Sequence, residues 1–170
     1  MYNEKGELYR IIEQDYNDPV AKNPLDSLPK STMKLDECKR LYNDHKADGS
    51  NNFFTQKLES MFDHAGYSMY LSHYKYNDEF TGRPDFVNRN TISGFVQMLK
   101  NSTKYMFGSL VLENGQLNGY WIIRGSEPII DVFGDFFEYN DWEKVDMTPE
   151  LLTQYDTKFY DTSLTRCIVL

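Results

Sequence analysis

Only two cysteines, Cys38 and Cys167, occur in 170 residues, and they form no CxxC pair. A disulfide framework is therefore excluded as the basis of the fold, and this usage points to a reducing, cytoplasmic compartment. Apolar runs reach only a few residues, far short of the roughly 20 that span a bilayer, and the charged start MYNEKGELYR holds no signal-peptide core. Basic charge is scarce too: 18 Lys and Arg against 26 Asp and Glu leave a net charge of −8, with no local run of cations. Proteins that grip phosphate backbones do so through basic patches, so no direct nucleic-acid contact is expected.

Chemical signatures are equally sparse. No Gly-rich loop leads into a Lys-Ser/Thr pair and no GxGxxG is present, which argues against a nucleotide loop. His45, His64 and His73 share no metal-ligand spacing with either cysteine, so no metal site is expected. No GxSxG elbow supports a serine nucleophile. Asp78 with Glu79, or Asp131 with Asp135, could form an acid/base pair, but such residues are more often solvated loop charges. The residues thus predict no catalytic group, no cofactor and no metal.

What the chain does have is aromatic mass. With 13 Tyr, 11 Phe and 40% hydrophobic residues, it can fill a dense core in a chain the size of one domain. Pro19, Pro24 and Pro29 remove amide donors and favour extended backbone, so residues 1–30 read as linker or strap after a possible short helix, ELYRIIEQDY. KSTMKLDECKRLYND places Leu35, Cys38, Leu41 and Tyr42 on one helical stripe behind Ser31 or Thr32 as N-cap. FFTQKLESMFDHAG repeats that pattern and closes at Gly66. YSMYLSHYKY changes to period two and predicts a strand.

NTISGFVQMLKNS returns to helical spacing through Ile92, Phe95, Val96 and Leu99. YMFGSLVLENGQLNGYWIIRG then reads as an antiparallel hairpin whose turn type stays open between Asn114-Gly115 and Asn118-Gly119. Further strands are expected at EPIIDVF and FFEYNDWEKVD, and a last helix at TPELLTQYDTKFY with Thr148 as N-cap and Pro149 at N1. Helices before and after hairpin-linked strands indicate an α+β fold with an antiparallel sheet.

GYWIIRG leaves a choice. The alternate strand face carrying Ser68, Tyr70, Ser72, Tyr74 and Tyr76 is a candidate contact surface, because Tyr and Trp tips favour binding sites. Arg124 could stand at its rim with Lys75, Asn90, Gln97 and Glu127. Alternatively Arg124 is an ordinary strand-end charge whose stem packs on Trp121.

LPKSTMKLDECKRLYND, FDHAGYSMYLSHYKYNDEF, NTISGFVQMLK, KYMFGSLVL and GYWIIRGSE, in that order, resemble the conserved C-terminal domain of the gamma subunit of eukaryotic translation elongation factor 1. The resemblance covers residues 28 to about 160. It implies an antiparallel sheet of about five strands with helices packed around it. It also implies a non-enzymatic scaffold whose partners are the other subunits of the elongation factor 1 complex, with nucleotide exchange done by a partner subunit. The glutathione-transferase-like region of that family is not in these residues, so the prolines at 19, 24 and 29 are expected to be interdomain linker and the chain an excised domain or a shortened form. Matching positions are Tyr74, Asn90, Gly94, Phe95, Gln97, Phe107, Gly119, Trp121, Arg124 and Gly125. The resemblance moves Arg124 towards a partner-binding cleft, and the cleft expected from these readings together is Tyr74, Lys75, Asn90, Gln97, Trp121, Arg124 and Glu127. Tyr67 and Met98 depart from it, standing where Trp and Arg are usual.

Cys167-Ile168-Val169-Leu170 fits a C-a-a-X box whose Leu favours geranylgeranylation, which would give weak membrane association through Cys167. The alternative is a hydrophobic tail packed on the sheet. The expected organisation is a strap over 1–30, the elongation factor 1 gamma C-terminal domain over 31–163 and a tail over 164–170, monomeric when isolated. Competing readings are a lipid-tethered adaptor at a membrane and an enzyme with an unrecognised cleft.

Overall fold

The structure is a computed structural model that describes residues 28–125 and 130–170. Its centre is a five-stranded antiparallel sheet in the order β4-β1-β3-β2-β5, formed by β1 (Tyr67–Tyr74), β2 (Met106–Glu113), β3 (Gln116–Arg124), β4 (Asn140–Val145) and β5 (Thr165–Val169). The fold is α+β. β2 and β3 are joined at Asn114 and Gly115, whose φ values of 53° and 76° match a two-residue type I′ turn and settle which Asn-Gly pair turns the chain. Asn118-Gly119 lies inside β3 instead.

Strand periodicity sorts the side chains onto two faces. The first carries Tyr67, Met69, Phe107, Val111, Tyr120 and Ile122, and packs against α1 (Leu35–Ala47), a π-helical turn (Phe54–Leu58) and α3 (Pro149–Tyr160). The second carries Tyr70, Tyr74, Met106, Leu110, Leu117, Trp121 and Ile123 beneath α2 (Asp85–Met98) and a group of short turns holding Phe80, Tyr105, Phe133 and Phe136. Each fully buried large side chain contributes about 1.5–3 kcal/mol. The expected contact face of β1 is therefore covered at Ser68, Tyr70, Ser72 and Tyr74. Ser68 and Ser72 are buried, and Ser72 Oγ accepts the Trp121 indole N–H at 2.9 Å.

Several elements differ from the reading of the sequence. α1 begins at Leu35, not behind Ser31 or Thr32, because the Ser31 hydroxyl donates to Asp63 at 2.6 Å and is spent tying the chain ahead of α1 to the end of the next helix. The second helix is a π-helical turn running into Glu59–Met61 and stops before Gly66. Its first amides are capped from α3: Phe54 N–H and Thr55 N–H donate to the Asp156 carboxylate at 2.8 and 3.1 Å. Within EPIIDVF, Ile130–Phe133 forms a helical turn, and Gly134–Tyr139 continues as 3-10 turns before β4 begins at Asn140. Phe133 is buried against Trp121 and Trp142 in a helical conformation, and Val132 is buried in the same cluster. α3 starts as expected, with Thr148 Oγ accepting the Leu151 N–H at 3.1 Å and Pro149 in the first turn. Residues 165–169 are the edge strand β5 on β2, not a free tail. The short helix expected before Pro19 lies outside the described residues.

Candidate functional site

Arg124 ends β3. Three residues earlier, Trp121 points to the opposite face, because an odd step along a strand changes sides. Trp121 is fully buried, its ring 4.9 Å from Phe133. No Cβ fits beside it: one added to Gly119 would lie 2.3 Å from both Trp121 Nε1 and Ser72 Oγ. Arg124 therefore does not rest its stem on Trp121.

The guanidinium sits instead 5.4 Å above the Tyr67 ring. It donates to Gly66 O at 2.6 Å and to the Pro29 carbonyl. The Tyr67 hydroxyl accepts the Leu35 amide at the start of α1, and burial holds that phenol above its ordinary pKa. Arg124 and Tyr67 thus clamp residues 29–35 onto the end of the sheet. Met33 fills the gap below and is buried.

Beside this clamp opens a cleft of about 710 Å³, walled by the 28–34 segment, the start of α1, Tyr105 and Arg124. Lys30, Lys34 and Lys104 stand at its edge with Asp36 and Glu37.

The other expected site residues are distributed elsewhere. Tyr74 is buried on the second face, donating to Glu79 Oε1 at 2.6 Å, and burial together with that carboxylate pushes its pKa well up. Glu79 is thereby a phenol acceptor, not half of an acid/base pair with Asp78. Asn90 and Gln97 lie exposed on the outer side of α2. Lys75 is exposed past the end of β1, its amide donating to Tyr139 O at 2.9 Å. Glu127 lies outside the described residues. The six described ones do not converge on one surface. Those beside Arg124 that sequence reasoning missed are Tyr67, Lys30, Lys34 and Lys104; for Lys30 and Lys34 the signal was the LPKSTMK segment, divided in the sequence reading between a linker ending at residue 30 and the start of a helix.

Among the described residues no group of three His, Cys, Asp or Glu could hold a metal ion, and no helix is long and apolar enough to cross a membrane. Cys167 sits in β5 opposite Leu110, half-buried, and burial raises its thiol pKa. A prenyl acceptor needs an accessible thiolate. The folded strand covers about half of this one.

A family profile described as elongation factor 1 gamma, conserved domain, matches residues 20–127, more than half the chain. The chain belongs to the elongation factor 1 gamma family. Elongation factor 1 gamma relatives include a probable elongation factor 1-gamma 1 of Arabidopsis thaliana, 38% identical over 148 residues, covering 81% of this chain and 34% of the relative. The Drosophila melanogaster elongation factor 1-gamma is 34% identical over 149 residues, covering 81% of this chain and 33% of its own. That of Artemia salina is 31% identical over 151 residues, covering 82% and 34%. The chain spans about a third of the length of these relatives.

Proposed function

We propose that this domain is a non-catalytic interaction module of the translation elongation factor 1 complex. In this reading it supports the nucleotide-exchange subunits by binding other proteins and performs no chemistry itself. The observation that carries the reading is the family match over residues 20–127, which joins the domain to relatives named as elongation factors. The site that fits it best is the open cleft beside Arg124, where a rigid sheet end meets the clamped 28–34 segment. Pre-formed concave surfaces on rigid elements bind at low entropic cost.

Affinity capture of the full chain from a eukaryotic lysate, with identification of the recovered proteins by mass, tests this. The elongation factor 1 subunits should be recovered above background. Their absence while unrelated partners are retained would overturn the translation role. The lipid-tether alternative requires β5 to peel from β2 and release Cys167, and no observed feature favours that step.

A further inference from the structure

We infer that the Arg124 cleft is a receptor for an extended acidic peptide segment that carries an apolar side chain. The inference rests on reading the chain as an interaction module and names the chemistry of what that module holds.

Charge points first to an anion. The chain as a whole carries a net charge of −8, yet among the described residues cations outnumber acids around this cleft: Lys30, Lys34, Lys104 and Arg124 against Asp36 and Glu37. Both acids sit on the first turn of α1, and Asp36 also acts on the Tyr67 phenol in the lining. Glu37 lies 3.8 Å from Arg40, and Asp36 acts on Lys39. The described lining therefore keeps an excess of cations over acids, with Lys30 and Lys34 exposed on it. On a strongly acidic protein, a local cationic concavity selects carboxylate-bearing partners at this one place and repels them elsewhere.

The floor points to a peptide and not to a bare ion. Leu28, Met33, Leu35 and the Tyr67 and Tyr105 rings line the cleft, so its base is apolar beneath a charged rim. A bare inorganic ion would leave that surface wet. A phosphodiester chain would find too few cations and the repulsion of the rest of the molecule. The volume of about 710 Å³ suits a few side chains of an extended segment. Arg124 already donates to Gly66 O and Pro29 O, so it holds the cleft's shape and supplies charge. Lys30 and Lys34 are exposed and do the contacting.

The test is fluorescence anisotropy of the full chain with a labelled short peptide of glutamates interrupted by one leucine. A lysine version of the peptide and inorganic phosphate serve as comparison probes. The acidic peptide should bind and shift the backbone amide resonances of Leu35, Tyr67 and Tyr105. Combining Lys30→Glu with Lys34→Glu should weaken binding about tenfold or more, since each reversal replaces attraction with repulsion. Both lysines are exposed, so the melting temperature should hold; if it does not, the pair Lys30→Gln and Lys34→Gln repeats the measurement, with a smaller loss of binding expected. Equal binding of the lysine peptide, insensitivity to both variant pairs, or shifts confined to another surface would overturn the inference. Phosphate moving the same amides and displacing the peptide would replace it with a simple anion site. Peptide binding without recovery of elongation factor 1 subunits would keep this inference and remove the translation role. Recovery without peptide binding would do the reverse.

Discussion

The Tyr155 hydroxyl accepts the Trp121 backbone N–H at 3.2 Å and lies 2.9 Å from the Trp121 carbonyl and 3.1 Å from that of Tyr70. A side chain from α3 thus enters the ladder where β1 and β3 pair Tyr70 with Trp121, and stitches the first helical layer to the middle of the sheet. Burial drives its pKa far above that of a free phenol, so the group stays a neutral donor.

Tyr155→Phe should therefore cost about 1–3 kcal/mol, because the ring still packs but a buried amide loses its acceptor. Urea unfolding followed by Trp fluorescence measures it. A midpoint within error of the wild type would mean that the strands close the gap themselves.

Two glycines should respond with opposite sign. Gly119→Ala places a methyl group into the Trp121 indole and Ser72 Oγ and should destabilise by about 2–3 kcal/mol or more. Gly94 in α2 has nothing within 4 Å of an added Cβ, and Gly94→Ala should stabilise by about 0.5–1 kcal/mol through helix propensity. Thermal unfolding of the pair decides it; two shifts of the same sign would contradict the packing described.

Arg124→Ala removes two donated hydrogen bonds and the contact with Tyr67. The expected loss is about 1–2 kcal/mol, since the Pro29 bond is solvent-exposed, and it should concentrate in faster amide exchange of Ser31 to Leu35. Arg124→Lys should rescue little, because an ammonium cannot fork between two carbonyls. Unchanged exchange in that segment would show that Met33 alone anchors it.

Asp63 provides a pH-dependent latch on the same segment. The Ser31 hydroxyl and the Ala65 amide donate to its carboxylate and hold its pKa below the ordinary value. With the folded pKa depressed, the contribution is present above the unfolded carboxylate range and is lost as pH falls through the lower folded value. Ser31→Ala should move the Asp63 midpoint upward in a carboxyl NMR titration. A midpoint that stays in place would discard the latch.

Much of this molecule was legible locally. The α1 stripe of Leu35, Cys38 and Tyr42, the β1 alternation and the Thr148-Pro149 start of α3 follow from period and capping, which neighbours within a few residues decide. The opposite facing of Trp121 and Arg124 was equally legible, since three is an odd step in a strand. Placing both on one contact surface ignored that parity. The 130–139 segment and β5 were not legible. Val132, Phe133 and Phe136 suit a strand by composition, yet they are buried in helical turns, Phe133 and Phe136 against Trp121 and Trp142. Thr165 to Val169 has no intrinsic signal stronger than its apolar end; the free edge of β2 recruits it.

By itself, then, the sequence determined the alternation of helical and extended segments, the aromatic core and the family, because these depend on residue type and spacing along the chain. Tertiary structure alone decided that the sheet face carrying Trp121 is covered, that Arg124 clamps Pro29 and Gly66, and that a cleft opens beside that clamp. Those outcomes depend on which distant segments compete for the same apolar surface and the same backbone carbonyls, and that competition is resolved only when the chain closes on itself.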